Sequence, residues 1–160
     1  MKERIIFHID VNNAFLSWTA VEFLKDGVKE DIRLIPAVIG GDEETRHGVV
    51  LAKSNIAKQF GIKTGETLYQ AKKKCPQIRI FPTKHEIYKE YSDKLYNLLL
   101  NYTDRIERYS IDECFIDMTG TNYLYSDYER LKKVLLVRQR DVNTPLVKSA
   151  CMRLPGQMPL

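Results

Sequence analysis

Three carboxylates stand where apolar segments of the chain begin or end. Asp10 follows the apolar run Ile5–Ile9, and Asp112 and Glu113 come directly before the run Cys114–Met118. Carboxylates are seldom buried without a partner, and their oxygens are the ligands that Mg²⁺ prefers. Two such ions about 3.5–4 Å apart can activate a hydroxyl as a nucleophile and stabilise a leaving phosphate. The three acids are therefore candidate ligands for a metal site that transfers phosphoryl groups.

The neighbouring acids Asp112 and Glu113 can bind the same metal cluster only if the backbone around them meets a geometric condition. Successive residues of a strand point to opposite faces of the sheet. The two side chains can serve one metal cluster only if they lie at a turn or at the entrance of a strand. Helix capping or surface ion pairing by these acids is the open alternative.

The elements that would position these acids alternate between strands and helices. Apolar runs and helical spacing, bounded by glycine and proline, locate them. The predicted strands are 5–9, 34–39, 48–52, 78–81, 105–109 and 114–118. The first predicted helix starts after Asn12 or Asn13, and three more cover 54–60, 67–75 and 84–102. A last helix is marked by Leu124, Tyr128, Leu131 and Leu135. This order predicts an α+β fold with helices on one side of an antiparallel sheet.

Composition places the chain among cytoplasmic proteins. No apolar run approaches the roughly 20 residues that span a bilayer, and the segment before Asp10 is too short for a secretory signal. Cys75, Cys114 and Cys151 form neither a metal-binding pair nor a disulfide framework, which suits a reducing compartment. We therefore expect a cytoplasmic location and no membrane partner.

Charge is distributed unevenly along the chain. Residues 1–44 hold five basic and nine acidic side chains, whereas residues 53–84 hold eight basic side chains and one acidic side chain. A basic segment beside an acidic one suggests a polyanion that lies next to bound metal ions. For the run Lys72–Lys74 alone, a solvated helix face is the preferred interpretation.

Three motifs together resemble the Y-family DNA polymerases, which copy damaged templates. The segments 7–15 (FHIDVNNAF) and 109–120 (YSIDECFIDMTG) resemble the two acidic motifs of the family, and 48–65 (GVVLAKSNIAKQFGIKTG) resembles the fingers segment between them. The resemblance implies a ferredoxin-like palm sheet with helices on one face and a small inserted fingers subdomain. It assigns 1–12 and 81–136 to the palm and 13–80 to the fingers.

The resemblance also implies roles for the acids. Asp10 and Asp112 match the ligands that bridge two Mg²⁺ ions, and Glu113 matches the third acid of the catalytic site. Val11 matches a position that offers its backbone carbonyl to a metal. The implied substrates are primer-template DNA and deoxynucleoside triphosphates.

The start of the first predicted helix matches the nucleotide site of the family. Asn13, Ala14 and Phe15 match residues whose backbone N–H groups meet the triphosphate, and a helix N-terminus attracts anions on physical grounds as well. Phe15 also matches the steric gate that rejects a 2′-hydroxyl. From its spacing alone, Phe15 would be a core residue.

The fingers segment supplies four further matches. Lys58 stands where the family usually has a triphosphate-binding arginine, so the charge is kept but the bidentate fork is lost. Asn55 stands where many members have a phosphate-binding tyrosine. Val49 and Leu51 match the positions that cover the nascent base pair, although a core strand would show the same side chains.

The resemblance ends at about residue 136. The segment 137–160 has no sustained period and contains three prolines, and we predict a poorly ordered tail that does not match the family. No thumb or C-terminal DNA-gripping domain is recognisable, and a sliding clamp would bind only through such a missing C-terminal region. The chain alone is therefore expected to be weakly active or inactive.

Two other functions stay open. One is a catalytically incompetent fragment that binds nucleotides or DNA. The other is a diguanylate cyclase, because the segment 40–43 (GGDE) resembles the signature of those palm-like enzymes. The position of this segment before the fingers motif, rather than in the central hairpin of the palm, disfavours the cyclase.

Overall fold

The computed structural model describes residues 4–41 and 48–121 and the strand at 147–154. The chain divides into two compact units, Met1–Asn12 with Lys89–Leu160, and Asn13–Tyr88. Its elements are β1 (Arg4–Val11), α1 (Ala14–Lys25), a 3-10 helix (Ile32–Leu34), β2 (Ala37–Gly40), β3 (Val50–Lys53), α2 (Asn55–Gln59), α3 (Leu68–Lys74), β4 (Arg79–Pro82), α4 (His85–Leu99), β5 (Ile106–Arg108), β6 (Glu113–Asp117) and β7 (Val147–Leu154). Among the described residues, no helix is long and apolar enough to cross a membrane.

The first unit is built on an antiparallel sheet with the strand order β5-β6-β1-β7. Phe7, Ile9 and Val11 alternate along β1 and are almost fully buried, as are Cys114 and Ile116 on β6. Full burial of such side chains stabilises the fold by about 1.5–3 kcal/mol each. One face of the sheet is therefore the core of this unit, and the other face carries the alternate residues.

Helix α4 lies against the buried face of this sheet. Arg108 is the cross-strand partner of the buried Cys114. Its guanidinium lies 4.0 Å from the ring centroid of Tyr96 and donates to Asp93 Oδ1 at 2.6 Å. Both partners belong to α4, so the helix is on the side opposite the acids. The predicted antiparallel sheet and its helical side are confirmed.

The second unit has β2 at its centre. The strand order is β3-β2-β4, with β2 antiparallel to β3 and parallel to β4. All four residues of β2 are buried because both faces are covered. Val38 packs in a cluster with residues of α2 and α3, whereas Ala37 and Ile39 pack in another with residues of α1. A strand that is covered on both faces typically has a continuous run of apolar residues in its sequence.

Gly40 ends β2 at a close approach between elements. A Cβ atom at this position would lie 2.6 Å from Leu68 Cδ2 and 3.1 Å from the carbonyl oxygen of Val49. A side chain at this position would force Leu68 to shift, so glycine allows α3 to approach the strand this closely.

One local prediction is wrong, the start of the second strand at residue 34. Leu34 belongs to the 3-10 helix and not to a strand, because Asp31 caps this turn by accepting from the N–H of Arg33. Asn13 occupies the N-cap position of α1 but does not cap it: its backbone is left-handed, with φ 51°, and no side-chain capping bond forms. The left-handed backbone turns the side chain to a different partner.

The segment 137–160 is not wholly irregular. Strand β7 pairs with β1 along its whole length, from Arg4 with Leu154 to Val11 with Val147. The prediction of a poorly ordered tail fails for this strand because its pairing is with a distant part of the chain, which no local pattern reveals. The predicted helix after residue 121 and the rest of the tail lie outside the described residues.

Candidate active site

Asp10 and Glu113 lie side by side on the open face of the first unit. They are direct cross-strand partners where β1 ends and β6 begins. Side chains of such partners project to the same face, with Cβ atoms about 4.5–5.5 Å apart. Both residues are only partly buried. Two of the three predicted acids are thus brought together by strand register.

Asp112 lies in the bend that leads into β6. The carbonyl oxygen of Asp112 accepts from the N–H of Val11 at 3.0 Å, which fixes the bend against the end of β1. Ser110 Oγ donates to Asp112 Oδ1 at 2.7 Å. Asp112 therefore lies at the entrance of β6, as one metal cluster for Asp112 and Glu113 requires. Because Asp112 precedes the strand, its side chain does not follow the alternation of side chains between the two faces of the sheet.

The donor set fits a hard divalent cation in its chemistry. It consists of two partly exposed carboxylates on one face and a third on the adjoining bend, all with oxygen ligands. Within the described residues, no three His, Cys, Asp or Glu side chains are gathered closely enough to hold a metal ion. The carboxylates of Asp112 and Glu113 are instead engaged in local contacts. Gathering all three acids around one cation therefore requires at least the Asp112 side chain to move.

The open face also carries residues that the motif analysis missed. His8 is the cross-strand partner of Phe115, and their rings stack with centroids 4.7 Å apart and planes inclined by 20°. His8 Nε2 lies 3.4 Å from Glu113 Oε2. The strand period of two could have shown this, since His8 precedes Asp10 by two residues and Phe115 follows Glu113 by two.

The far end of β6 is anchored by Asp117. Its carboxylate accepts from Arg4 Nη2 at 2.8 Å and from the N–H of Thr119 at 2.9 Å. Burial raises the pKa of Asp117, but the hydrogen bonds from Thr119 and the charge of Arg4 outweigh this effect and hold the pKa below its ordinary value. These contacts fasten β1 to β6 away from the acid pair.

In the second unit, Asn13 ties the start of α1 to the end of β3. Its side-chain amide donates to the carbonyl oxygen of Lys53 at 2.9 Å. Asn55 follows two residues later, at the start of α2, and is exposed. Ser54 caps that helix: its Oγ accepts from the N–H of Ala57 at 3.0 Å. Asn13 is therefore tied to the segment that leads into α2, where Asn55 is the first residue.

Phe15 has a rigid support. Its ring stacks on Tyr88 with centroids 4.6 Å apart. Thr19 Oγ1 donates to the carbonyl oxygen of Phe15 at 2.7 Å and lies 3.1 Å from the Tyr88 hydroxyl. Since the Thr19 proton is already used, the Tyr88 hydroxyl is the donor in the second bond. Tyr88 and Thr19 were not identified from the sequence, because only the fold brings α4 next to Phe15.

The remaining predicted site residues of the second unit are exposed, except for Ala14. Val49 and Leu51 are 38% and 37% exposed, and strand alternation puts them on one face of the β3 segment. Ala14 is buried, whereas Lys58 is exposed on α2. Half-exposed apolar side chains are compatible with a surface that covers a flat partner, and they argue against the reading of Val49 and Leu51 as fully buried core.

Solved structures that share this fold include a Y-family DNA polymerase chimera of Dbh and Dpo4, with a TM-score of 0.77 at 23% identity, over 92% of this chain and 42% of that one. The Dbh DNA polymerase in a post-insertion binary complex superposes with a TM-score of 0.78 at 23% identity, over 92% of this chain and 42% of that one. DinB from Sulfolobus solfataricus superposes with a TM-score of 0.72 at 23% identity, over 96% of this chain and 42% of that one. The α+β class, with a polymerase palm sheet and fingers, is thereby confirmed.

Sequence relatives are more similar over a shorter length. DNA polymerase IV of Clostridium acetobutylicum is 61% identical over 117 residues, which are 73% of this chain and 30% of that protein. DNA polymerase IV 1 of Bacillus subtilis is 35% identical over 144 residues, which are 90% of this chain and 33% of that protein. The chain spans about a third of the length of these relatives.

The chain belongs to the impB/mucB/samB family, whose model matches residues 9–146. The resemblance to Y-family polymerases that the three motifs carried is confirmed, and the cyclase alternative is not favoured. The match extends beyond residue 136, where the resemblance read from the sequence ends. The division into palm and fingers at residue 80 stays a prediction; that boundary falls inside β4.

Proposed function

We propose that this chain forms the catalytic palm-and-fingers part of a DNA-directed DNA polymerase that copies damaged templates. The reaction is transfer of a deoxynucleotide to the 3′-hydroxyl of a primer paired with template DNA, with release of pyrophosphate. The observation that carries the proposal is the register of β1 and β6, which pairs Asp10 with Glu113 beside the bend of Asp112. A cytoplasmic location and a role in DNA damage tolerance are part of the proposal.

The acids of the open face are the proposed metal-binding residues. Asp10, Asp112 and Glu113, with the backbone carbonyl of Val11, would hold two Mg²⁺ ions. When bound, such ions lower the pKa of the attacking hydroxyl and neutralise charge on the phosphates. Because the Asp112 carboxylate accepts a hydrogen bond from Ser110 Oγ, it would exchange this partner for the cations, whereas Glu113 has a second carboxylate oxygen besides the one that faces His8.

The residues of the second unit are proposed to select and orient the nucleotide. The N–H groups at the start of α1 point out of the helix end and favour a triphosphate. Phe15, whose ring is stacked on Tyr88, would be the residue that rejects a 2′-hydroxyl. Lys58 adds positive charge, and Asn55 adds a hydrogen-bond donor.

A chimera tests the proposal. In the Clostridium acetobutylicum relative, the aligned segment is replaced by that of this chain, and primer extension is measured with Mg²⁺. The chimera should extend a primer, and Asp10→Asn or Glu113→Gln should reduce the rate by about 100-fold or more. Glu107→Gln is the matched control, because this exposed acid lies on the same face but opposite Phe115. Extension that is unaffected by Asp10→Asn would contradict the proposal.

The chain by itself is expected to extend primers weakly. Phosphate contacts supply much of the affinity of proteins for duplex DNA, and the 160-residue chain spans only about a third of the length of its DNA polymerase IV relatives. A fragment that binds nucleotides without catalysis is therefore the second candidate. Robust Mg²⁺-dependent extension by the isolated chain, abolished by Asp112→Ala, would exclude that candidate.

A further inference from the structure

His8 is placed by strand register next to one of the three acids. The pairs His8 with Phe115 and Asp10 with Glu113 are consecutive on the open face, so His8 and Glu113 are diagonal neighbours. Diagonal neighbours on a sheet face are within reach of long side chains. His8 Nε2 lies 3.4 Å from Glu113 Oε2, and the two side chains have similar exposure, 28% and 27%. The contact is therefore a consequence of the fold and not of a surface coincidence.

The ring of His8 is supported by Phe115, which in turn contacts a second aromatic residue. Phe115 stacks on it, and Tyr109 meets Phe115 edge-on with centroids 5.7 Å apart. Stacked and edge-on pairs stabilise by about 0.5–1.5 kcal/mol beyond their buried area. The stack restricts rotation of the imidazole, so its Nε2 atom stays directed at Glu113.

We propose that His8 is a positioning residue for Glu113. A carboxylate is an acceptor only, so Nε2 of the imidazole must donate in this contact. A bond to one carboxylate oxygen leaves the other oxygen of Glu113 available to a cation. It also fixes the direction in which the carboxylate points, next to Asp10. Ligating carboxylates commonly have such hydrogen-bonded support, and its loss lowers metal affinity by about 10- to 100-fold. The inference rests on the proposed metal-dependent function.

The test measures Mn²⁺ binding to the purified 160-residue chain, from the paramagnetic resonance signal of free Mn²⁺. Mn²⁺ takes the same oxygen ligands as Mg²⁺. His8→Phe keeps an aromatic ring for the stack on Phe115 but has no donor, and it should weaken Mn²⁺ binding by about tenfold. His8→Gln keeps a donor of similar reach and should recover affinity to within about threefold of the unchanged chain.

A purely structural role for His8 makes a different prediction. If His8 had only a structural role, His8→Phe and His8→Gln would both have a lower unfolding temperature, and the Mn²⁺ affinity of the folded chain would be unchanged. In a Glu113→Gln background, His8→Phe should have no further effect on Mn²⁺ affinity, because the group it orients is already absent. If His8→Phe does not fold, His8→Leu carries the same expectation.

The possible failures are distinguishable. Unchanged Mn²⁺ affinity in His8→Phe, with weakened binding in Asp10→Asn and Glu113→Gln, would overturn the positioning role and leave the proposed metal site intact. Unchanged affinity in Asp10→Asn as well would overturn both. Weakened binding in His8→Gln equal to that in His8→Phe would also count against the role, because the donor would then be irrelevant.

Discussion

Substitutions of Asn13 can measure how much this one side chain contributes to the free energy of unfolding through the turn into α1. Its backbone has φ 51°, and its amide donates to the carbonyl oxygen of Lys53 at 2.9 Å. Asparagine tolerates the left-handed region, whereas alanine loses about 1 kcal/mol or more there. The hydrogen bond lies at the surface, where water can replace it, so its loss removes about 0.5–1 kcal/mol.

Two substitutions separate these contributions. Asn13→Ala loses both and should destabilise by about 1.5–2 kcal/mol. Asn13→Gly adopts the left-handed backbone freely and loses only the hydrogen bond, so it should destabilise by about 0.5–1 kcal/mol. The alanine variant is therefore expected to be the less stable by about 1 kcal/mol, the opposite of the usual order of alanine and glycine in and beside helices.

Urea unfolding followed by tryptophan fluorescence measures this difference. Trp18 is the one tryptophan in the chain and is fully buried in α1, so it reports on the unit that contains Asn13. The two midpoints should differ by roughly 0.5 M urea. Gln59→Ala, which removes an exposed amide from α2, is the control and should leave the midpoint nearly unchanged. A midpoint for Asn13→Ala equal to or above that of Asn13→Gly would refute the reasoning.

Three further predictions follow from packing and charge. Gly40→Ala should destabilise by about 1–3 kcal/mol in the same urea assay, because the new methyl would overlap Leu68; an unchanged midpoint would show that α3 shifts freely. Tyr88→Phe should lose about 1 kcal/mol with its bond to Thr19, whereas Tyr88→Ala should lose about 3–5 kcal/mol, and equal losses would contradict the role of the ring. The pKa of Asp117 is lowered by folding, so its contribution to stability is complete above pH about 4 and is lost as the pH falls through the lowered value. Asp117→Asn should therefore destabilise at pH 7 and approach the unchanged chain in melting temperature once the pH falls below the lowered pKa of Asp117; a difference that persists unchanged in strong acid would contradict this assignment.

The sequence alone determined the elements and the class of the protein. Apolar runs located the short strands well, because β1 and β6 alternate between core and open face and β2 is buried on both faces. The three motifs were enough to identify the family, because each combines particular residue types at a fixed spacing along the chain. The helix predicted over 67–75 corresponds to α3, which Thr67 starts with a capping box.

Only the tertiary structure decided which residues act together. The sequence separates Asp10 from Glu113 by a hundred residues, and strand register makes them neighbours. The same register brought His8 to Glu113, and the packing of α4 brought Tyr88 beneath Phe15. Such contacts depend on pairing between distant segments, whose energies do not appear in any local pattern. The sequence therefore named the acids, and the fold showed how they are paired and supported.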